Sequence, residues 1–299
     1  MIPGTSKEGL VVHLLKDVWL IARFDLVTAI RTKRALLAIL VYALGAFLTA
    51  AALVQIDAKI GDRLELVKSM ANVSVPLKVE GQADQSTSVV KALSFLVGGD
   101  EDLVLHLLQI PLVVLGFFWT TLTFLPFLIA LVSHDLVNIE VRNRSARFIL
   151  LRTSRAALLL GKTVSHLLLF LSVTVVSNLV LCAYAWNASP SFDLWITSRL
   201  LLRFWLLTIP YGFCFLALTA LVSSLVDGGA ASLAANAIAL IAISMLSMND
   251  TIGLLSPSFY KLGLWSPRFL DVLGSSAAFL VFGTLFLSGA YARLRGRDL

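Results

Sequence analysis

The sequence predicts an all-α polytopic membrane protein, with six transmembrane helices preceded by an amphipathic interfacial helix. Three observations lead there. The 299 residues are 58% hydrophobic and only 14% charged, too apolar for one soluble core under a polar surface. The apolar residues gather in charge-poor runs of about twenty, the length that crosses the hydrocarbon of a bilayer. The basic residues gather near the start, in one internal loop and at the end, and six spans place all three clusters on one face.

Residues 1–34 form the amphipathic segment and residues 35–299 the membrane domain. Leu10, Leu14, Val18, Ile21 and Leu26 recur near helical spacing, with His13, Lys16, Asp17, Arg23 and Arg31 on other faces. An ordinary soluble amphipathic helix shares this pattern. The basic clamp Arg31, Lys33, Arg34 and the apolar run behind it favour a helix lying in the interface. The segment is too polar for the core of a cleavable signal, and no A-x-A site follows it.

Residues 35–54 are free of charge and make the first span. Residues 55–102 are acidic overall and are expected outside the cell as a small extracytoplasmic loop. Pro76 argues against a central strand there, and Asn72-Val-Ser74 matches a glycosylation sequon. Residues 107–133 make the second span, with bends expected at Pro111 and Pro126. Its aromatics and threonines suit a cavity for an amphipathic substrate, and equally suit plain packing in lipid.

Residues 134–162 form a basic loop expected in the cytoplasm. It carries Arg142, Arg144, Arg147, Arg152, Arg155 and Lys162 against only Asp135 and Glu140. Phe148, Ile149, Leu150 and Leu151 make an apolar patch within it. A short amphipathic helix pressed on a cytosolic partner, or lying on anionic lipid, has this composition.

The third span is expected over residues 163–186, with His166 near its cytoplasmic start. The fourth runs from Leu200 or Phe204 to Val226 and holds Pro210. Arg199 and Arg203 fall four apart near its outer end. They either snorkel to headgroups or contact an anionic group of a substrate. A Gly228-Gly229 turn leads to the fifth span, residues 230–248, whose many alanines allow close helix packing. Asn236 is its strongly polar residue. Residues 249–271 are apolar but broken by glycine and proline, which suggests short re-entrant helices. Residues 272–292 are the sixth span, and Arg293, Arg295 and Arg297 close the chain. This topology puts both termini in the cytoplasm, beneath a plasma or inner membrane.

Several chemistries are excluded. Gly161-Lys162-Thr163 looks like the end of a phosphate-binding loop, but Ala156 stands where that pattern needs glycine. No metalloprotease, nucleophile-elbow or paired-cysteine motif occurs, and His13, His106, His134 and His166 lack metal-ligand spacing. Cys182 and Cys214 lie in apolar runs, as buried thiols do. No span carries a carboxylate at mid-depth, which argues against a proton- or sodium-driven carrier. The net charge of +6 is assigned to orientation and lipid headgroups, not nucleic acid. The chain is therefore expected to be neither an enzyme nor a holder of cofactors.

Two stretches and the ending carry a family resemblance. IARFDLVTAIRTKR (residues 21–34), EVRNRSARFILLRTSRAALLLGK (140–162) and ARLRGRDL (292–299) resemble permease subunits of ABC-2 type exporters, the type V or ABCG-like class. In such permeases the loop reads as an acidic residue, a Gly-Thr step, a leucine-rich turn, Ser-Arg, then Gly-Lys opening the third helix. Glu140, Leu150, Leu151, Ser154, Arg155, Gly161 and Lys162 stand at those places. Ser145-Ala146 replaces the Gly-Thr step, and the proline usual near Thr153 is missing.

The resemblance implies a permease homodimer, each copy resting on a separate ATPase subunit that binds ATP and Mg. Residues 134–162 would include the coupling helix, with Glu140, Arg144, Arg147, Phe148, Leu151 and Arg155 at the ATPase. Residues 1–34 would be the connecting helix. The substrate path would run between the second and fifth spans, near Phe117, Phe118, Thr121, Phe124 and Asn236. The function implied is export by alternating access. A second reading is a non-transporting anchor or mechanical transmitter, linking a cytosolic ATPase to extracytoplasmic partners through residues 55–102.

Overall fold

The computed structural model describes residues 7–33, 36–49, 51, 103, 106–107, 110–142, 145–188, 193–249 and 251–296. The acidic loop at 55–102, with its sequon, lies outside them. Among the described residues every regular element is helical. In order these are α1 (Lys7–Arg31), α2 (Leu36–Thr49), α3 (Leu112–Ser133), α4 (Asn138–Arg142), α5 (Ser145–Leu150), α6 (Arg155–Ala188), α7 (Leu194–Leu225), α8 (Gly229–Leu246) and α9 (Phe269–Arg295). Two 3-10 segments, Gly253–Leu255 and Pro257–Trp265, separate α8 from α9. Five of the helices are long and apolar enough to cross a membrane, and the α1–α2 pair adds a sixth if counted as one broken span.

α1 and α2 meet at 71°. The break has a local cause: Lys33 adopts a left-handed φ of 59°, which few residues other than glycine do, and α1 cannot continue through it. α1 leaves Leu15, Trp19, Leu20 and Phe24 exposed, an apolar face suited to lipid. Its opposite side packs on the first turns of α6, where Gly161 makes the contact. A Cβ at Gly161 would fall 2.8 Å from Ile21 Cβ and 3.0 Å from the Val18 carbonyl oxygen. Gly161→Ala should therefore lower the thermal unfolding midpoint in detergent, by the equivalent of about 1–3 kcal/mol of overpacking. Gly161→Leu should lower it further. Gly274→Ala, where nothing lies within 4 Å, should not lower it.

Two of the spans, the third and the fourth, begin where a polar residue caps them, not where the apolar run begins. Ser154 caps α6, its Oγ accepting from Ala157 N–H at 3.1 Å, so the third span starts eight residues ahead of residue 163 and takes in Gly161 and Lys162. Asp193 caps α7, its Oδ1 accepting from Trp195 N–H at 2.8 Å and Ile196 N–H at 3.1 Å. The fourth span therefore starts at Leu194, and Arg199 and Arg203 lie within it. Pro111 does not bend the second span, because it precedes α3 with extended backbone (ψ 132°). Pro126 and Pro210 do lie inside α3 and α7, where each removes one backbone donor. Gly228, at φ 111°, makes the turn before α8 in a conformation that other residues rarely adopt.

α7 is the central helix, with Tyr211, Cys214, Phe215, Leu216 and Ala217 buried against α3, α6 and α9. Some buried hydroxyls in the spans return to their own helices, as Thr163 does to Leu159 O at 2.8 Å and Thr208 to Phe204 O at 2.9 Å, while Tyr211 crosses from α7 to donate to Leu122 O on α3 at 2.5 Å. Ser256 joins the 3-10 segments to α8 by donating to Ile243 O at 2.8 Å. Within residues 249–271, where short helices were expected, the chain forms these two 3-10 segments.

Candidate coupling site

At the basic end of the bundle, α1, α4 and the start of α6 converge on one ammonium group. Lys162 is 6% exposed, on the helix face that meets α1. Its Nζ lies 3.1 Å from Glu140 Oε1 and 3.6 Å from Asp25 Oδ1. A charge so buried requires partners, because desolvation costs several kcal/mol per ion. Two carboxylates from two different elements supply them. His166, one turn further along α6, brings Nδ1 to 3.3 Å from Asp25 Oδ2 and 3.0 Å from Lys162 O. Burial pushes the Asp25 carboxyl up. The His166 ring and the Lys162 ammonium outweigh that and hold it down at about 2. Asp25 is therefore ionised at any physiological pH.

A second clasp lies beside the first. Arg155 Nη1 donates to the carbonyls of Leu294 at 2.8 Å and Arg295 at 2.6 Å, the last turn of α9. A cation there also meets the negative end of the helix dipole. Between the clasps the loop turns outward. Phe148 is 75% exposed on α5, and Leu151, just beyond its end, is 81% exposed. Two large apolar side chains three positions apart form a neighbouring pair on one side of a helical turn.

Of the residues expected at the ATPase, only Phe148 and Leu151 are directed outward among those whose side chains are described. Glu140 turns inward to Lys162, and Arg155 is taken up by the end of α9. Arg144 and the side chain of Arg147 lie outside the described set. Asp25 was not legible as a partner. Its one signal is a lone acid between Phe24 and Leu26 in a basic stretch.

The residues expected along a substrate path have different surroundings. Phe117, Phe118 and Thr121 are buried on α3, while Phe124, two turns beyond Phe117, is 55% exposed. The Thr121 hydroxyl bonds to that of Tyr42 on α2 and donates to Phe117 O at 2.8 Å. Asn236 is buried and donates to Ser232 O at 2.9 Å within α8. Ser232 in turn donates to His134 O at 2.5 Å, fastening α8 to the end of the second span. No group of three or more His, Cys, Asp or Glu arranged for a metal occurs among the described residues.

A family model described as ABC-2 family transporter protein matches residues 19–257, which takes in most of α1, both clasping carboxylates and Lys162. Comparison of the sequence with curated proteins finds no match.

Proposed function

The chain belongs to the ABC-2 transporter family and is a membrane permease component of an ABC transporter, a class that works with a partner ATP-binding subunit; on that premise, we propose how the two subunits are coupled. The ATPase, which holds ATP and Mg, docks on the outward pair Phe148 and Leu151. Its closure moves α5, and the movement passes through Glu140 to Lys162 and thence to α1 and the third span. The bundle then alternates between inward- and outward-facing states and exports its cargo, in the manner of type V, ABCG-like permeases. The working unit is a permease homodimer in the plasma or inner membrane, with both termini in the cytoplasm.

The observation that carries this reading is the exposure of Phe148 and Leu151 on a loop otherwise tied inward at both ends. Exposed apolar side chains of this size favour burial by about 1.5–3 kcal/mol each, which a protein partner provides. The family match favours a transporting role over the anchor reading, since no observation here calls for an anchor alone.

The test is reconstitution. Vesicles holding the permease and its ATPase should move cargo on ATP addition, and vesicles lacking either subunit should not. A cysteine placed at position 144 should react with a membrane-impermeant reagent only after cells are opened. Labelling of intact cells at that position would overturn the orientation, and ATP-independent flux would overturn the coupling.

A further inference from the structure

The charges on the outer side of α1 are sorted around its axis. α1 meets α2 at 71°, so with α2 crossing the bilayer α1 runs near the membrane plane. Its bundle side carries Val18, Ile21, Ala22 and Asp25, with Ile21 against Gly161 and Asp25 against Lys162. At about 100° per residue, Val12, Leu15, Trp19 and Ile30 fall in one sector of about 60°, on one flank of that side. All four are exposed. Lys16 and Arg23 border this apolar flank, and both are exposed. Further round, Leu20, Phe24 and Val27 are exposed among His13 and Arg31. The other flank is polar, with Asp17 and Thr28. Among the described side chains of α1 the acids are Asp17, on that polar flank, and Asp25, turned inward. The charged border of the apolar flank is therefore basic alone.

We propose that α1 is seated on a surface of anionic phospholipid, its apolar flank in the hydrocarbon and Lys16 and Arg23 on the headgroup phosphates, and that this seating holds Asp25 on Lys162. A helix with an apolar flank and a basic border binds a membrane surface by burial and by charge together. The long stems of Lys16 and Arg23 let their charges reach the phosphates while the flank stays immersed. Trp19 suits the same boundary, where the indole body meets hydrocarbon and its N–H meets polar groups. Charge selects the lipid: a zwitterionic surface accepts the flank but gives the cations no net attraction. Asp25 projects from the bundle side of the same helix, so lifting α1 off the lipid draws the carboxylate away from the ammonium. By linkage, lipid charge and the Asp25 clasp then stabilise one position of α1, and each strengthens the other. A consequence for ATP-driven movement rests on the coupling proposed above, whereas the seating itself does not.

The experiment uses the whole permease with Cys182→Ala, Cys214→Ala and Leu15→Cys, carrying a nitroxide spin label at position 15. It is placed in phosphatidylcholine vesicles with or without phosphatidylglycerol. Relaxation of the label by oxygen marks hydrocarbon, and relaxation by a water-soluble nickel chelate marks water. With phosphatidylglycerol the label should lie in hydrocarbon, and without it a lifted, nickel-accessible population should appear. Lys16→Gln and Arg23→Gln should each lower the ratio of seated to lifted label about fivefold, the effect of one cation near an anionic surface. Lys16→Arg should keep it. Both positions are exposed, so these variants retain the fold. Asp25→Asn, which leaves Lys162 paired with Glu140, should also lower the ratio, and more phosphatidylglycerol should restore it. Neither the ATPase nor the sidedness of the membrane enters these measurements, so their failure is distinct from failure of the coupling. Equal ratios in the two lipids would overturn the proposal, as would a label that stays in water in both. An unchanged ratio in Asp25→Asn would overturn the link to the clasp. Shielding of the label only when the ATPase is added would assign the flank to a protein and also overturn the seating.

Discussion

Phe148→Asp with Leu151→Asp should abolish co-purification of the ATPase and remove the permease-dependent part of its ATP hydrolysis, while the permease still inserts and remains stable. The two side chains are 75% and 81% exposed, so the fold of the chain draws almost nothing from them. Surface substitutions of this kind change stability by about 0.5 kcal/mol or less. In a complex the same side chains would be buried. Losing two large apolar contacts removes about 3–6 kcal/mol, or roughly a hundred- to ten-thousandfold in affinity. Burying two carboxylates in their place weakens binding further. Arg152→Ala is the companion variant. It removes a neighbouring charge while leaving the apolar pair, and should cost far less. An unchanged complex in the double aspartate variant would place the ATPase elsewhere.

The second large effect is expected at Lys162. Lys162→Met leaves Asp25 and Glu140 facing each other with no cation between them. Breaking a buried ion pair from one side costs about 3–5 kcal/mol, because the remaining charge stays desolvated. The variant should unfold at a markedly lower temperature in detergent. α1 should also loosen, so that trypsin cuts faster at Arg23 and Arg31, which are already exposed but held in helix. The decisive comparison is the triple variant Lys162→Met, Asp25→Asn, Glu140→Gln. It removes all three charges at once and should recover most of the lost stability. If the triple variant is no better than the single one, the lysine acts through its hydrocarbon stem and not through its charge. Transport should remain impaired in the triple variant even where stability returns, since the proposed link between α4 and α6 is gone.

The spans were legible because hydropathy is local: an apolar run of bilayer length becomes a helix whatever packs around it. Their ends were less so. Ser154 and Asp193 start α6 and α7 well before the apolar runs do, and a cap followed by charged residues resembles a loop until the backbone is seen. Pro111 was misplaced for the related reason that proline is common both inside bent spans and just before helices. At the proposed coupling site the loop residues Phe148 and Leu151 were legible as an apolar island among arginines. The inward turn of Glu140 and Arg155 was not, because their partners Lys162, Leu294 and Arg295 reach them only through the tertiary fold. The surroundings of the residues expected along the path were not legible either. A helical wheel puts Phe124, seven positions on, within about 20° of Phe117, yet one is exposed and the other buried, because what packs against α3 changes along its length.

The Arg155 clasp has a mechanical consequence. Its guanidinium grips the last carbonyls of α9 at 2.8 and 2.6 Å, so the loop's exit is hinged to the tail of the chain. A force applied at α5 thus has two fulcrums, one at the root of the third span and one at the foot of the sixth. Torque on such a lever would swing both rods together, and the far mouth of the bundle would answer as a single jaw.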